Sequence, residues 1–139
     1  MRYNNIMNTS QVVRDFVETY YSGMSSKGIA SLLYLFDKNN VQINFNGQLF
    51  TKAYDLLQFF VNKNIQRFVY RDYKYMFNVI NSNMIVVQVS GLYQALIFGG
   101  QYLQESNFID TFILTNVDSS NIFNKWNENY SIINLISSY

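Results

Sequence analysis

The stretch "IQRFVYRDYKYMFNVI", starting at Ile65, alternates its side chains with a period of two. Three later segments do the same: "MIVVQVSGLYQALI", "NFIDTFILTNV" and "NIFNKWNENYSIINLI". They are separated by Asn81-Ser82-Asn83, by Gly99-Gly100 to Ser106, and by Asp118-Ser119-Ser120-Asn121. Connections that short join antiparallel neighbours, because a parallel return needs a crossover of a dozen or more residues. Four long strands in succession therefore fix a sheet, and a sheet needs cover on at least one face.

The cover has to come from the N-terminal half. Val13, Phe16, Val17, Tyr20 and Met24 recur at i, i+3, i+4, i+7 and i+11, one apolar stripe of a helix. Asn8, Thr9 or Ser10 suits its cap, with Gln11 three residues after Asn8. Ser22 and Gly23 are expected to loosen it, and Ser25 or Ser26 to cap the next. Ile29, Leu32, Leu33 and Phe36 give a second stripe, and Ala53, Leu56, Leu57 and Phe60 a third, capped by Thr51. Helices are expected over Ser10–Ser22, Lys27–Phe36 and Lys52–Asn62. Between the last two, Val41, Ile43 and Phe45 alternate ahead of Asn46-Gly47, the strongest short hairpin turn. The expected fold is α+β: one domain over 1–139, a cone-like bent antiparallel sheet covered by three helices of the N-terminal half. Residues 1–9 read as a flexible segment ahead of it, and Tyr20-Tyr21 as a plug for the open end of the cone.

Composition removes several functions. The chain has no Cys and no His, so disulfides within it, thiolate catalysis and imidazole proton transfer are excluded. No metal-ligand cluster is visible, and Gly99-Gly100 lacks the Lys-Ser or Lys-Thr of a phosphate loop, so no cofactor is expected. A net charge of +1 gives no global field toward nucleic acid or an acidic membrane. No apolar run approaches the ~20 residues of a membrane span, and "MRYNNIMNTSQ" lacks a secretory core, so a soluble intracellular protein without membrane contact is expected.

Several motifs, in this order, resemble the nuclear transport factor 2 family from about Val12 to Ile133. They are "FVETYYSGMSS", "LLYLFDKNNVQINFNGQLF", "VVQVSGLY", "FIDTFILTNV" and "WNENYSIINL". The resemblance implies a small protein that dimerises through the open face of its sheet. Within the family, an import carrier is a homodimer that binds the GDP form of Ran, and an export cofactor pairs with a similar domain of a large mRNA export receptor. The import carrier resembles a protein that needs carboxylates in the loop after the valine-rich strand. Here that loop is "YQALIFGGQYLQES", with Glu105 as its one acid, which argues against Ran. Asp72 resembles an aspartate that pairs with an arginine of the export receptor, although Tyr73-Lys74 follows it in place of Gln-Pro. The resemblance therefore implies a non-enzymatic, heterodimeric export subunit that reaches Phe-Gly repeat proteins of the nuclear pore, directly or through the receptor. Such a subunit shuttles between nucleus, pore and cytoplasm. The homodimeric import carrier is the alternative.

The candidate partner-interface residues are Tyr70, Asp72, Phe108, Asp110, Phe112, Trp126 and Tyr130. Strict alternation places the Asp72 carboxylate on the face opposite Arg71. Phe108, Phe112 and Trp126 read as sheet-face residues, in the core or facing a partner. Asp72, Asp110, Tyr70 and Tyr130 also form a candidate acid–base set for an isomerase or dehydratase with a cone-shaped pocket, as found in the wider superfamily. Lys63, Arg67, Arg71 and Lys74, interleaved with Phe68, Tyr70 and Tyr73, form a candidate nucleic-acid contact. The same charges also suit the solvated edge of a strand.

Overall fold

The computed structural model describes residues 8–116 and 130–139. Helix α1 spans Thr9–Lys27 and opens on a capping box: Asn8 accepts from the Gln11 N–H while the Gln11 side chain accepts from the Asn8 N–H. Its buried face is wider than the sequence stripe, adding Val12 and Tyr21 to the expected residues. The helix does not loosen at Ser22-Gly23. It runs on to Lys27, and Gly23 is there for packing, since a Cβ would lie 2.7 Å from Leu32 Cδ2.

The second expected helix is a 3-10 helix over Ile29–Leu35. Ile29, Leu32 and Leu35 are its buried residues, spaced three apart, the period of a 3-10 helix. Gly28, at φ 89°, separates it from α1. Strands β1 (Gln42–Phe45) and β2 (Gln48–Phe50) form the expected hairpin, with Asn46 and Gly47 both at positive φ. Helix α2 covers Ala53–Asn62 with Lys52 at the N-cap, whose side chain makes no capping bond; the expected Thr51 cap is not used.

Four long strands follow: β3 (Ile65–Asn81), β4 (Met84–Ile97), β5 (Ser106–Asn116) and β6 (Tyr130–Ser138). The sheet order is β2-β1-β6-β5-β4-β3. The four long strands pair antiparallel, while β1 joins β6 in parallel, a junction not expected from the sequence. The helices lie on the concave face. Phe16, Tyr20 and Tyr21 of α1 pack edge-on against Phe112, and Tyr21 against Tyr70, so these tyrosines fill the cone rather than plug its end. No helix among the described residues is long and apolar enough to cross a membrane.

Candidate partner-docking site

The pleat assigns each long strand two faces. On β5 the concave face holds Phe108, Asp110, Phe112 and Leu114, all buried, whereas Ile109, Thr111 and Ile113 point to the open face. Cross-strand pairing extends these into rows on the open face. One row is Met76, Gln88, Thr111 and Ile136; the next is Asn78, Val86, Ile113 and Asn134; a third is Lys74, Ser90, Ile109 and Ser138. Aliphatic side chains alternate there with Gln, Thr, Asn and Ser, and Gln88 Nε2 donates to Thr111 Oγ1 at 3.3 Å. Lys74 is the one charge in these three rows. Met76 is 66 % exposed, Ile136 54 % and Ile109 45 %. A face this poor in charge and this rich in uncovered aliphatics has the composition of an interface core.

The interface residues named from the sequence do not lie on this face. Phe108, Phe112, Asp110, Tyr70 and Tyr130 are each at most 8 % exposed, on the concave side beneath α1. Alternation identified the strands but not which parity the helices would cover. Trp126 lies outside the described residues.

Asp72 does not sit where strict alternation places it, for a different reason. Before it, Arg67, Val69 and Arg71 pair with open-face residues of β4; after it, Lys74, Met76 and Asn78 do. The register shifts between Arg71 and Lys74, so an extra residue is inserted and the face reverses. Asp72 takes a left-handed conformation, φ 53°, which aspartate tolerates better than most residues. The bulge passes directly over Gly91, where a Cβ would sit 2.6 Å from Tyr73 Cα. Asp72 is therefore not opposite Arg71. The Arg71 guanidinium bonds its Oδ2 at 2.6 Å, and both lie at the exposed rim of the open face.

Arg71 also grips Glu105 through two bonds of 2.6 and 2.7 Å. The Glu105 hydrogen bond raises the Arg71 pKa, and the Arg71 bond holds the Glu105 carboxyl below its ordinary value. The basic set is not assembled into a patch. Lys63 ends α2 with its ammonium 5.7 Å from the Phe59 ring, Arg71 is matched by two carboxylates, and Arg67 has its Nε buried without a hydrogen-bond partner. Lys74 lines a groove of about 470 Å³ with Arg14, Val17, Glu18, Tyr73 and Tyr75.

The candidate acid–base set is not assembled either. Tyr130 donates to Asp15 at 2.9 Å, and Asp72 lies outside the cone. Asp110 instead sits under α1 with three hydroxyl donors: Tyr21 at 2.7 Å, Ser137 at 2.6 Å and Tyr139 at 2.9 Å. Tyr139 spends its proton on Asp110, so the 2.6 Å contact between Tyr70 and Tyr139 hydroxyls must have Tyr70 as donor. Burial pushes the Asp110 carboxyl up from 3.8 to about 6, against the lowering pull of the three hydroxyls. Burial first, and then the Asp110 charge, pushes Tyr21, Tyr70 and Tyr139 well above the usual phenol value. Ser137 and Tyr139 were not singled out from the sequence, and Tyr21 was read there only as part of a plug, because only tertiary packing of α1 and the C-terminal strand brings the three to Asp110. Among the described residues no group of acids could hold a metal ion.

No sequence-family model matches the chain, and no curated protein sequence matches it significantly. Solved structures do match. A chain of the Chaetomium thermophilum Mex67 NTF2-like domain complexed with Mtr2 is 16% identical, with a TM-score of 0.71 over 95% of this chain and 98% of that one. A structure of Mtr2 is 15% identical, TM-score 0.71, over 94% and 98%. Nuclear transport factor 2 from Cryptosporidium parvum is 20% identical, TM-score 0.66, over 94% and 95%. The described residues have the nuclear transport factor 2-like fold.

Proposed function

We propose that this chain is a non-enzymatic subunit that pairs, through the open face of its sheet, with a similarly folded domain of an mRNA export receptor. The observation that carries the reading is the open face itself. Its central rows hold Met76, Val86, Ile109, Ile113 and Ile136 among polar residues of which Lys74 is the one charge, and no element covers them among the described residues. A matching sheet would remove these side chains from water, leaving Gln88, Thr111 and Asn78 to bond across the interface. The fold's likeness to a complex of a Mex67 NTF2-like domain with Mtr2 supports a heterologous partner. Phe-Gly repeat binding at the nuclear pore and shuttling between nucleus and cytoplasm belong to the same proposal.

Two observations favour this over the alternatives. A Ran-binding carrier needs free carboxylates in the loop after β4, and Glu105, the one acid there, is already held by Arg71. An isomerase needs a base open to substrate, and Asp110 is wholly buried beneath α1 with its oxygens occupied. Affinity purification from native extract with mass spectrometry tests the proposal. Recovery of a large RNA-export receptor, lost on Ile109→Lys, supports it; recovery of Ran, or of no partner, refutes it.

A further inference from the structure

Tyr139 follows Ser138, the last residue of β6, and turns into the core. Four other rings surround its own, with centroids at 4.8 Å (Tyr93), 5.0 Å (Phe68), 5.1 Å (Phe45) and 5.5 Å (Phe108). They come from four different strands, β4, β3, β1 and β5. The Tyr139 hydroxyl donates to Asp110 Oδ2 at 2.9 Å and accepts from the Tyr70 hydroxyl at 2.6 Å. A box of aromatic walls, with one acceptor and one donor aimed at the same hydroxyl, is complementary to a phenol.

The box is built without Tyr139. Its walls are fixed by the strand ladders, and Asp110 has two further donors, Tyr21 and Ser137. Tyr139 itself lies past the ladder, since the register of β5 with β6 ends at Ile109 opposite Ser138. Its N–H is held by a side chain instead, Asn46 Oδ1 at 2.7 Å, in the turn between β1 and β2. We propose that the box is a binding site for a small para-substituted phenol, occupied by Tyr139 as an internal ligand and latched by Asn46. A free phenol and the Tyr139 side chain compete for the same walls and the same two hydrogen bonds, so the latch sets how open the site is. Tyr21 and Ser137 keep their bonds to Asp110 in either state, so the site binds without offering a free base. It lies on the concave side and does not rest on the reading of the open face.

p-Cresol, the tyrosine side chain without its backbone, is the probe, and toluene is the control that lacks the hydroxyl. Thermal melts of the full-length chain compare wild type, Tyr139→Ala and Asn46→Gly. Tyr139→Ala removes the internal ligand and leaves a cavity. Its melting temperature should fall, then rise by about 5 °C for each tenfold of p-cresol beyond half-saturation. Toluene leaves Asp110 short of one donor and the Tyr70 proton unpaired, so it should bind at least about tenfold more weakly. Asn46→Gly keeps the positive φ of the turn but removes the latch. It should respond to p-cresol more than wild type and less than Tyr139→Ala. If Tyr139→Ala is unfolded alone, p-cresol should restore a cooperative melt. No stabilisation of Tyr139→Ala by p-cresol, folded or unfolded, would overturn the site. Equal stabilisation by toluene would overturn its phenol chemistry. A response of Asn46→Gly no larger than that of wild type would make Tyr139 a plain core residue and refute the latch.

Discussion

Asp110 is a carboxylate without a basic neighbour bridging it among the described residues, and Asp110→Asn tests what holds it. Its folded pKa of about 6 lies above its ordinary 3.8, so the native state takes up a proton that the unfolded chain does not between those values. Stability from this group is therefore fully present below about 3.8 and lost as pH rises through about 6. The whole gap corresponds to about 3 kcal/mol, of which roughly 1.4 kcal/mol should appear between pH 7.5 and 5. Asparagine has the same shape. Its carbonyl can accept from Tyr21 and Tyr139 while its amide donates to a rotated Ser137 hydroxyl, so the variant should fold. Urea unfolding of both proteins, at one protein concentration, at pH 5 and at pH 7.5, isolates the term. Exposed carboxyls and the Arg71–Glu105 pair titrate alike in both and cancel. Wild-type stability minus variant stability should rise by roughly 1.4 kcal/mol on acidification. A difference that stays constant, or falls, would show that the hydroxyls outweigh burial and refute the reasoning.

Gly91→Ala should destabilise the domain by about 1–3 kcal/mol, because its Cβ would meet the backbone of Tyr73 and the bulge cannot yield like a side chain; thermal melts check it. Ile109→Lys and Ile136→Lys, at exposed sites, should leave the melting temperature nearly unchanged but abolish receptor capture, since each puts an unpaired charge into a desolvated face. Unchanged capture by both would move the partner off this face. Asp72→Asn should fold normally, asparagine also accepting a left-handed backbone. Asp72→Arg should fold but weaken capture more than Asp72→Asn, by setting a cation beside Arg71 at the rim, as pull-down with melts of both variants would reveal.

The parts of the fold legible in the sequence were those set by local pattern. "MIVVQVSGLYQALI" became β4 with both ends as read, because Asn-Ser-Asn precedes it and Phe-Gly-Gly follows. Asn46-Gly47 gave its hairpin through its own backbone freedom. The bulge was also legible. Phe68 and Tyr70 are two apart, Tyr73 follows after three, and Tyr75 and Phe77 return to two. That single gap of three marks the inserted residue, and strict alternation across it sent Asp72 to the wrong side. The Asp110 cluster was not legible, since Tyr21 comes from the helix, Ser137 from β6 and Tyr139 from the residue after it. Their meeting depends on the register of β5 with β6, which pairs Asp110 with Ser137.

That one inserted residue also explains how a 17-residue strand carries unlike duties. Without it, Tyr70 and Tyr75 would face opposite sides, and a helix could cover only one of them. With it, Phe68, Tyr70, Tyr73, Tyr75 and Phe77 all lie toward the concave side, while Lys74, Met76 and Asn78 join the open-face rows set by β4 and β5. The insertion must fit against the neighbouring strand, which it does only because Gly91 has no side chain there. A bulge raises local twist and bends the strand that carries it, and here it lies where Tyr21 of α1 packs on Tyr73. Core packing under α1 and the charge-poor open face are thus fixed by the same few atoms around Asp72, Tyr73 and Gly91. A change at Gly91 should accordingly lower stability and partner binding together, whereas changes at Ile109 or Ile136 should separate the two.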